Sequence, residues 1–216
     1  MVALRSSLRC QKVIGYGQQF GKYLLVFHIK RSLFMILTTH LRMMPESSVY
    51  GDWPRSGEID IVESRGNDAQ NYSLGNNIIS STLHWGTSYS NDMYKLTTAE
   101  WGAVREKYSN GLHTFGMEWS EKYMLFWVDK KLRVSPISVR THEATSTHAS
   151  HQQILYLDFP SPNLYSYGKL SQTTVNGSIA DNPWAVNGVT AQNAPFDQSF
   201  YLILNVAVGG TNGWFP

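Results

Sequence analysis

The sequence predicts an all-β protein, a single sandwich of two packed sheets, and three observations carry that expectation. Short β-prone runs recur along the chain, among them EIDIVES, IISSTLHWG, HTFGMEW, YMLFWVD and KLRVS, each bounded by Gly, Asn, Asp or Pro. No stretch sustains a helical period, although TTAEWGAVREKYSN has room for a short helix. The length, 216 residues with 42% hydrophobic, suits one β-sandwich domain and excludes a disordered chain.

Taken in order, residues 1–44 are basic, irregularly apolar and free of acidic side chains. They are set apart as a divergent N-terminal segment, and 45–216 as the domain. Within it, residues 45–135 hold most of the short strands. Residues 136–195 are Ser-, Thr-, Asn-, Gln- and Pro-rich, which predicts mostly loop around one apolar run, ILYLDF. SFYLILNVAVGG then reads as a buried strand.

Composition narrows the function classes. Charged residues are 16% and aromatics 13%, a balance that favours flat, neutral, hydroxyl-rich ligands over phosphates. A net charge of +2 with no basic block gives no reason to expect nucleic acid. The single cysteine, Cys10, excludes an internal disulfide framework and a cysteine-based zinc site. His142, His148 and His151 share a polar loop without any familiar zinc spacing, so no metal is assigned there. YLLVFHIKRSLFMIL is broken by His28, Lys30 and Arg31, too short for a membrane span. No signal peptide is readable at the N-terminus.

The chemistry concentrates in Gly57-Glu58-Ile59-Asp60-Ile61-Val62-Glu63-Ser64. Strand alternation puts Glu58 and Asp60 on one face, with Ile59 and Ile61 on the other. Strict alternation would send Glu63 into the core, at a high desolvation cost. A β-bulge around Ile61-Val62 returns it to the acidic face. Three carboxyls in a row destabilise one another unless they titrate apart or meet cations. One reading is an exposed acidic strand paired with Lys or Arg neighbours. The other is a glycosidase, whose retaining mechanism needs a nucleophile and an acid/base about 5–5.5 Å apart.

The flanks favour the second. WPRSGEIDIVESRGN resembles the active-site strand of glycoside hydrolase family 16, in its laminarinase-type branch. LHWG at 83–86, HTFGMEW at 113–119 and FYLILNVAVGGTNGWFP at 200–216 are similar to further blocks of that branch, in the same order. The resemblance implies a concanavalin-like jelly-roll β-sandwich that cleaves internal β-1,3 or mixed β-1,3/1,4 bonds of glucans with retention. Position by position, it makes Glu58 the nucleophile, Glu63 the acid/base and Asp60 the helper between them. It places His84 and Trp85 against the sugar, Trp53 and Arg55 along the cleft, and Trp119 and Trp214 as stacking aromatics. For each Trp, a place in the core or at the rim fits as well. It further implies a secreted monomer acting on β-glucan, with no nucleic-acid or membrane partner and no required cofactor. Some members of the family hold a structural calcium ion, and no residue here points to such a site.

Three departures accompany the resemblance. Thr39-His40-Leu41-Arg42-Met43-Met44-Pro45 replaces a tryptophan-rich strand, with Arg42 where an aromatic is expected. Residues 1–42 match no block of the family, and 134–153 look inserted or altered. The chain ends just after GGTNGWFP, where the family continues, so edge strands are expected to be missing. Two alternatives to the hydrolase follow: a β-1,3-glucan-binding protein that does not cleave, and an inactive truncated relative.

Overall fold

A computed structural model describes residues 23–29, 38–65, 70, 74–103, 107–108, 110, 113–129, 153–175, 178–179 and 181–207. His142, His148, His151, Trp214, Cys10 and the run KLRVS lie outside the described residues.

Two antiparallel sheets dominate. The first has four strands in the order β1 (Tyr23–Ile29), β6 (His113–Trp119), β7 (Tyr123–Val128), β8 (Gln153–Asp158). The second has five, in the order β13 (Phe200–Ala207), β2 (Thr38–Pro45), β3 (Glu58–Ser64), β4 (Ile78–His84), β5 (Thr98–Gly102). A one-turn helix, α1 (Leu164–Tyr167), and two small hairpins follow β8: β9 (Thr174–Val175) with β10 (Ser178–Ile179), and β11 (Ala185–Val186) with β12 (Val189–Thr190).

Period-two alternation explains how the sheets meet. Leu41, Met43, Ile59, Val62, Ile79 and Leu83 face inward from the five-stranded sheet and are buried. Phe115, Met117, Trp119, Met124, Phe126, Val128, Leu155 and Leu157 meet them from the four-stranded sheet. Truncating one such aliphatic to Ala costs about 2–5 kcal/mol.

The structure bears out the β-sandwich and amends several details. TTAEWGAVREKYSN supplies strand β5 where a short helix was considered. Ala99 and Trp101 share one face of β5 and pack on the core, so edge pairing with β4 overrides local helix propensity. β2 spans the boundary drawn at residue 44 and sits between β13 and β3 in the second sheet. The final strand is less buried than its composition suggests. β13 pairs only with β2 among the described residues, and Tyr201 and Leu202 are exposed.

The register also shows the bulge. Along β2, Leu41 opposes Val62 and Arg42 opposes Asp60, leaving Ile61 as the extra residue. Along β4, the shift falls between Asp60 and Glu63. A bulge leaves backbone groups without ladder partners. Here the fully buried Ser81 hydroxyl donates to the Ile61 carbonyl at 2.7 Å. Ser81→Ala should therefore destabilise the protein by about 1–3 kcal/mol, measured by urea unfolding. A loss near zero would mean the bulge carbonyl finds another donor.

Candidate active site

With the bulge in place, one face of the second sheet carries Glu58, Asp60 and Glu63 from β3. Beside them stand His40 and Arg42 from β2, and Ser80, Thr82 and His84 from β4. The opposite face of the same strands is the core. All three acids are largely withdrawn from water: Glu58 is 6% exposed, Asp60 2%, and the Glu63 side chain 15%. Burial at that level demands partners, and each acid meets a different set.

Glu58 is held on both oxygens. Arg42 Nη1 donates to Oε1 at 2.8 Å, and Trp53 Nε1 donates to Oε2 at 2.7 Å. Charge-assisted bonds of this kind fix a carboxylate's rotamer. Asp60 meets His84 Nε2 at 3.1 Å, and the other ring nitrogen of His84 meets Asp92 Oδ2 at 2.6 Å. Burial alone would lower the imidazole, but its bonds to Asp60 and Asp92 outweigh that and raise it to about 10. Burial pushes Asp60 up, the bond from His84 pulls it back, and the outcome is about 6. At pH 7 this pair is an imidazolium beside a carboxylate.

Glu63 is treated differently. Its contacts are the Ser80 hydroxyl at a long 3.5 Å and His40 Nδ1 at 3.6 Å. Burial, then Arg42, holds His40 below its ordinary value, so it brings no charge at neutral pH. Burial and the neighbouring Asp60 drive Glu63 up to about 8. The row thus divides: Glu58 is clamped by Arg42 and Trp53, Asp60 sits against the His84 cation, and Glu63 keeps its proton at pH 7. Such a pair of separated titrations is what acid and base assignments require.

The proposed sugar contacts divide. Trp53 and His84 lie at the acids, with ring centroids 5.5 Å apart. Tyr89 continues from Trp53 at 5.5 Å, and Tyr94 stacks on His84 at 5.4 Å, so four rings run in a row. Tyr89 is 81% exposed. Trp85, expected against the sugar, and Trp119, expected to stack on it or to lie in the core, are both core residues. Trp85 is fully buried against Trp184 and Tyr167, with its indole N–H bonded to Thr97. Trp119 is buried between the sheets, edge-on to Phe200. Arg55 donates from Nε to the Thr87 carbonyl at 2.7 Å, which braces the loop carrying Tyr89.

Sequence reasoning gave Arg42 no role at the site and passed over Asp92, His40, Tyr89 and Tyr94. The alternation of β2 was a usable signal for Arg42, since it shares parity with His40 beside an acidic strand. Asp92 lies in a turn and carried none. Among the described residues, no group of three or more His, Cys, Asp or Glu is arranged to hold a metal ion. No helix among them is long and apolar enough to cross a membrane.

The raised groups set the direction of pH dependence. Glu63 is protonated in the folded chain between its ordinary 4.5 and about 8, where the unfolded chain has lost the proton. The native state then binds more protons, so stability falls as pH rises through that window. Glu63→Gln should flatten the fall and raise Tm at pH 8 by at least about 2–4 °C, in thermal melts at pH 5 and 8. An unchanged pH slope would place the proton elsewhere.

The comparisons with known proteins identify the family and the fold. Residues 37–173 match the family model "Glycosyl hydrolases family 16". A beta-1,3-glucan-binding protein of Penaeus monodon is 38% identical over 174 residues, 81% of this chain and 39% of the relative. A glucan endo-1,3-beta-glucosidase of Cryptopygus antarcticus is 32% identical over 169 residues, 78% of this chain and 43% of the relative. The chain thus spans about two fifths of the length of each. Among solved structures, the laminarinase catalytic domain of Thermotoga maritima aligns with a TM-score of 0.51 at 20% identity. That alignment covers 93% of this chain and 58% of the other, and supports the sandwich fold. With the matched segment covering well over half its length, the chain belongs to glycosyl hydrolase family 16.

Proposed function

We propose that the chain carries the catalytic face of a retaining endo-acting β-glucan hydrolase, acting on β-1,3 or mixed β-1,3/1,4 linkages. The observation that supports this best is the split acidic row: Glu58 clamped by Arg42 and Trp53, Glu63 five residues on and protonated near neutrality. Glu58 attacks the anomeric carbon from one face of the sugar while Glu63 passes its proton to the departing glycosidic oxygen. The bond to the leaving sugar breaks as the Glu58 ester forms. Glu63, now a carboxylate, takes a proton from water, whose oxygen displaces Glu58 and restores both groups.

The register sets the reach this demands. Glu58 opposes His84 and Glu63 opposes Ser80, four residues apart on β4. At roughly 3.3 Å per strand residue, their backbones are about 13 Å apart, so the two side chains must lean together over the face. The row Tyr94, His84, Trp53, Tyr89 suits a neutral glycan, whose pyranose faces pack on aromatic rings. No cofactor enters this scheme.

A second reading has its own support. The Penaeus monodon relative is named for binding, and Arg42 stands where an aromatic platform was expected. In that reading the chain holds β-1,3-glucan without cleaving it.

Reducing-end release from laminarin separates the two. The hydrolase reading predicts release that falls at least ~10³-fold in Glu58→Gln, with kcat declining above pH about 8 as Glu63 ionises. Laminarin retention without release by a cooperatively melting wild-type chain would favour the binder. Tyr89→Ala should raise KM for laminarin about 10-fold at unchanged kcat, because an exposed ring outside the reacting bond contributes uniform binding.

A further inference from the structure

The two nitrogens of His84 each face a carboxylate oxygen, Nε2 toward Asp60 at 3.1 Å and Nδ1 toward Asp92 at 2.6 Å. A neutral imidazole has one N–H, so one of these contacts would set a lone pair against an anion. Both contacts are favourable only in the imidazolium. The chain builds this arrangement deliberately. Immediately after His84, the strand continues into a loop that folds back on itself: Met93 N–H bonds the Trp85 carbonyl at 2.8 Å, and Gly86 bridges to Asp92. Glycine is required there, since a Cβ on Gly86 would sit 1.9 Å from the Asn91 carbonyl oxygen. Asp92 Oδ1 accepts from Tyr94 N–H at 3.2 Å, leaving Oδ2 for the imidazole, and the Tyr94 ring stacks on the same imidazole.

We infer that Asp92 is a positioning residue that holds His84 as an imidazolium against Asp60, and so decides that the proton of the acidic row rides on Glu63. This inference rests on the hydrolase reading for its catalytic consequence. The physical argument is one of competition for a proton. Asp60 and Glu63 are close, buried and mutually repelling, so one proton between them is favoured near neutrality. A cation fixed at Asp60 keeps that carboxyl ionised and leaves the proton to Glu63. The groups facing His84 are Asp60, Glu58 and, at longer range, Glu63 on β3, Asp92 and Tyr94 in the loop, and Trp53 before β3. The imidazolium pulls Glu63 down by less than the Asp60 carboxylate pushes it up. Glu58 is already matched by Arg42, so Asp92 and Asp60 are the anions that hold the imidazolium.

Asp92→Asn isolates the charge. The asparagine carbonyl still accepts from Tyr94 N–H, and its amide donates to Nδ1 of a neutral imidazole, which keeps an N–H toward Asp60. The loop is retained while the imidazolium is lost. In 15N-histidine-labelled full chain, the wild-type His84 imidazole should remain protonated beyond pH 9. In Asp92→Asn its titration should fall below pH 7, and Asp92→Glu should restore most of the shift. On laminarin, kcat of Asp92→Asn should fall about 10-fold or more with KM changed less than 3-fold, and Asp92→Glu should recover part of the loss. An Asp92→Asn imidazole that titrates as in the wild type overturns the inference, as does a full imidazole shift with kcat intact. If the wild type releases no reducing ends, the hydrolase reading fails, and the imidazole titration alone still decides the role of Asp92.

Discussion

The single extra residue at Ile61 is the constraint on which the rest of the site depends. A strand repeats every two residues, so two glutamates five apart face opposite ways in a regular strand. One would then be driven into a core made of Leu41, Met43, Ile79 and Leu83. The bulge shifts the parity once and puts Glu58, Asp60 and Glu63 on a common face. Its local defect is an unpaired carbonyl, which Ser81 satisfies from the core side.

Bringing three buried carboxyls together creates an electrostatic problem, and the neighbouring strands solve it unevenly. β2 supplies Arg42 to Glu58, and β4 supplies His84 to Asp60. Glu63 meets a hydroxyl and a histidine kept neutral by burial and Arg42, and burial with the charge of Asp60 outweighs the pull of His84 and Arg65 on it. This unevenness differentiates chemically similar side chains. Glu58 is held by a guanidinium and Glu63 carries a proton, which is the division of labour that double displacement needs. Arg42 is notable here because the position called for an aromatic. In its place stands a guanidinium that holds one Glu58 oxygen while the Trp53 indole holds the other.

The sequence made the acidic strand, its bulge and the sandwich legible because all three follow from short-range periodicity and a desolvation penalty. It was less informative wherever side-chain direction depended on partners distant in sequence. Trp85 and Trp119 look like sugar platforms by type, yet each shares strand parity with core residues, Leu83 in one case and Phe115 and Met117 in the other. Parity alone would have placed them in the core. Asp92 was beyond reach, since its role comes from a loop folding back across Gly86, a contact that no local pattern encodes. β5 was ambiguous because an edge strand is defined by its neighbour rather than by its own propensity.

The claim that most needs direct contact with experiment is the uneven ownership of the proton. Carboxyl 13C NMR of the glutamate-labelled chain, titrated from pH 4 to 10 with Glu63→Gln for assignment, reads it without relying on turnover. The account predicts one glutamate resonance with a midpoint near 8, absent from the variant. A wild-type chain whose Glu63 titrates in the ordinary range near 4.5 would contradict it, and with it the assignment of Glu63 as the proton donor.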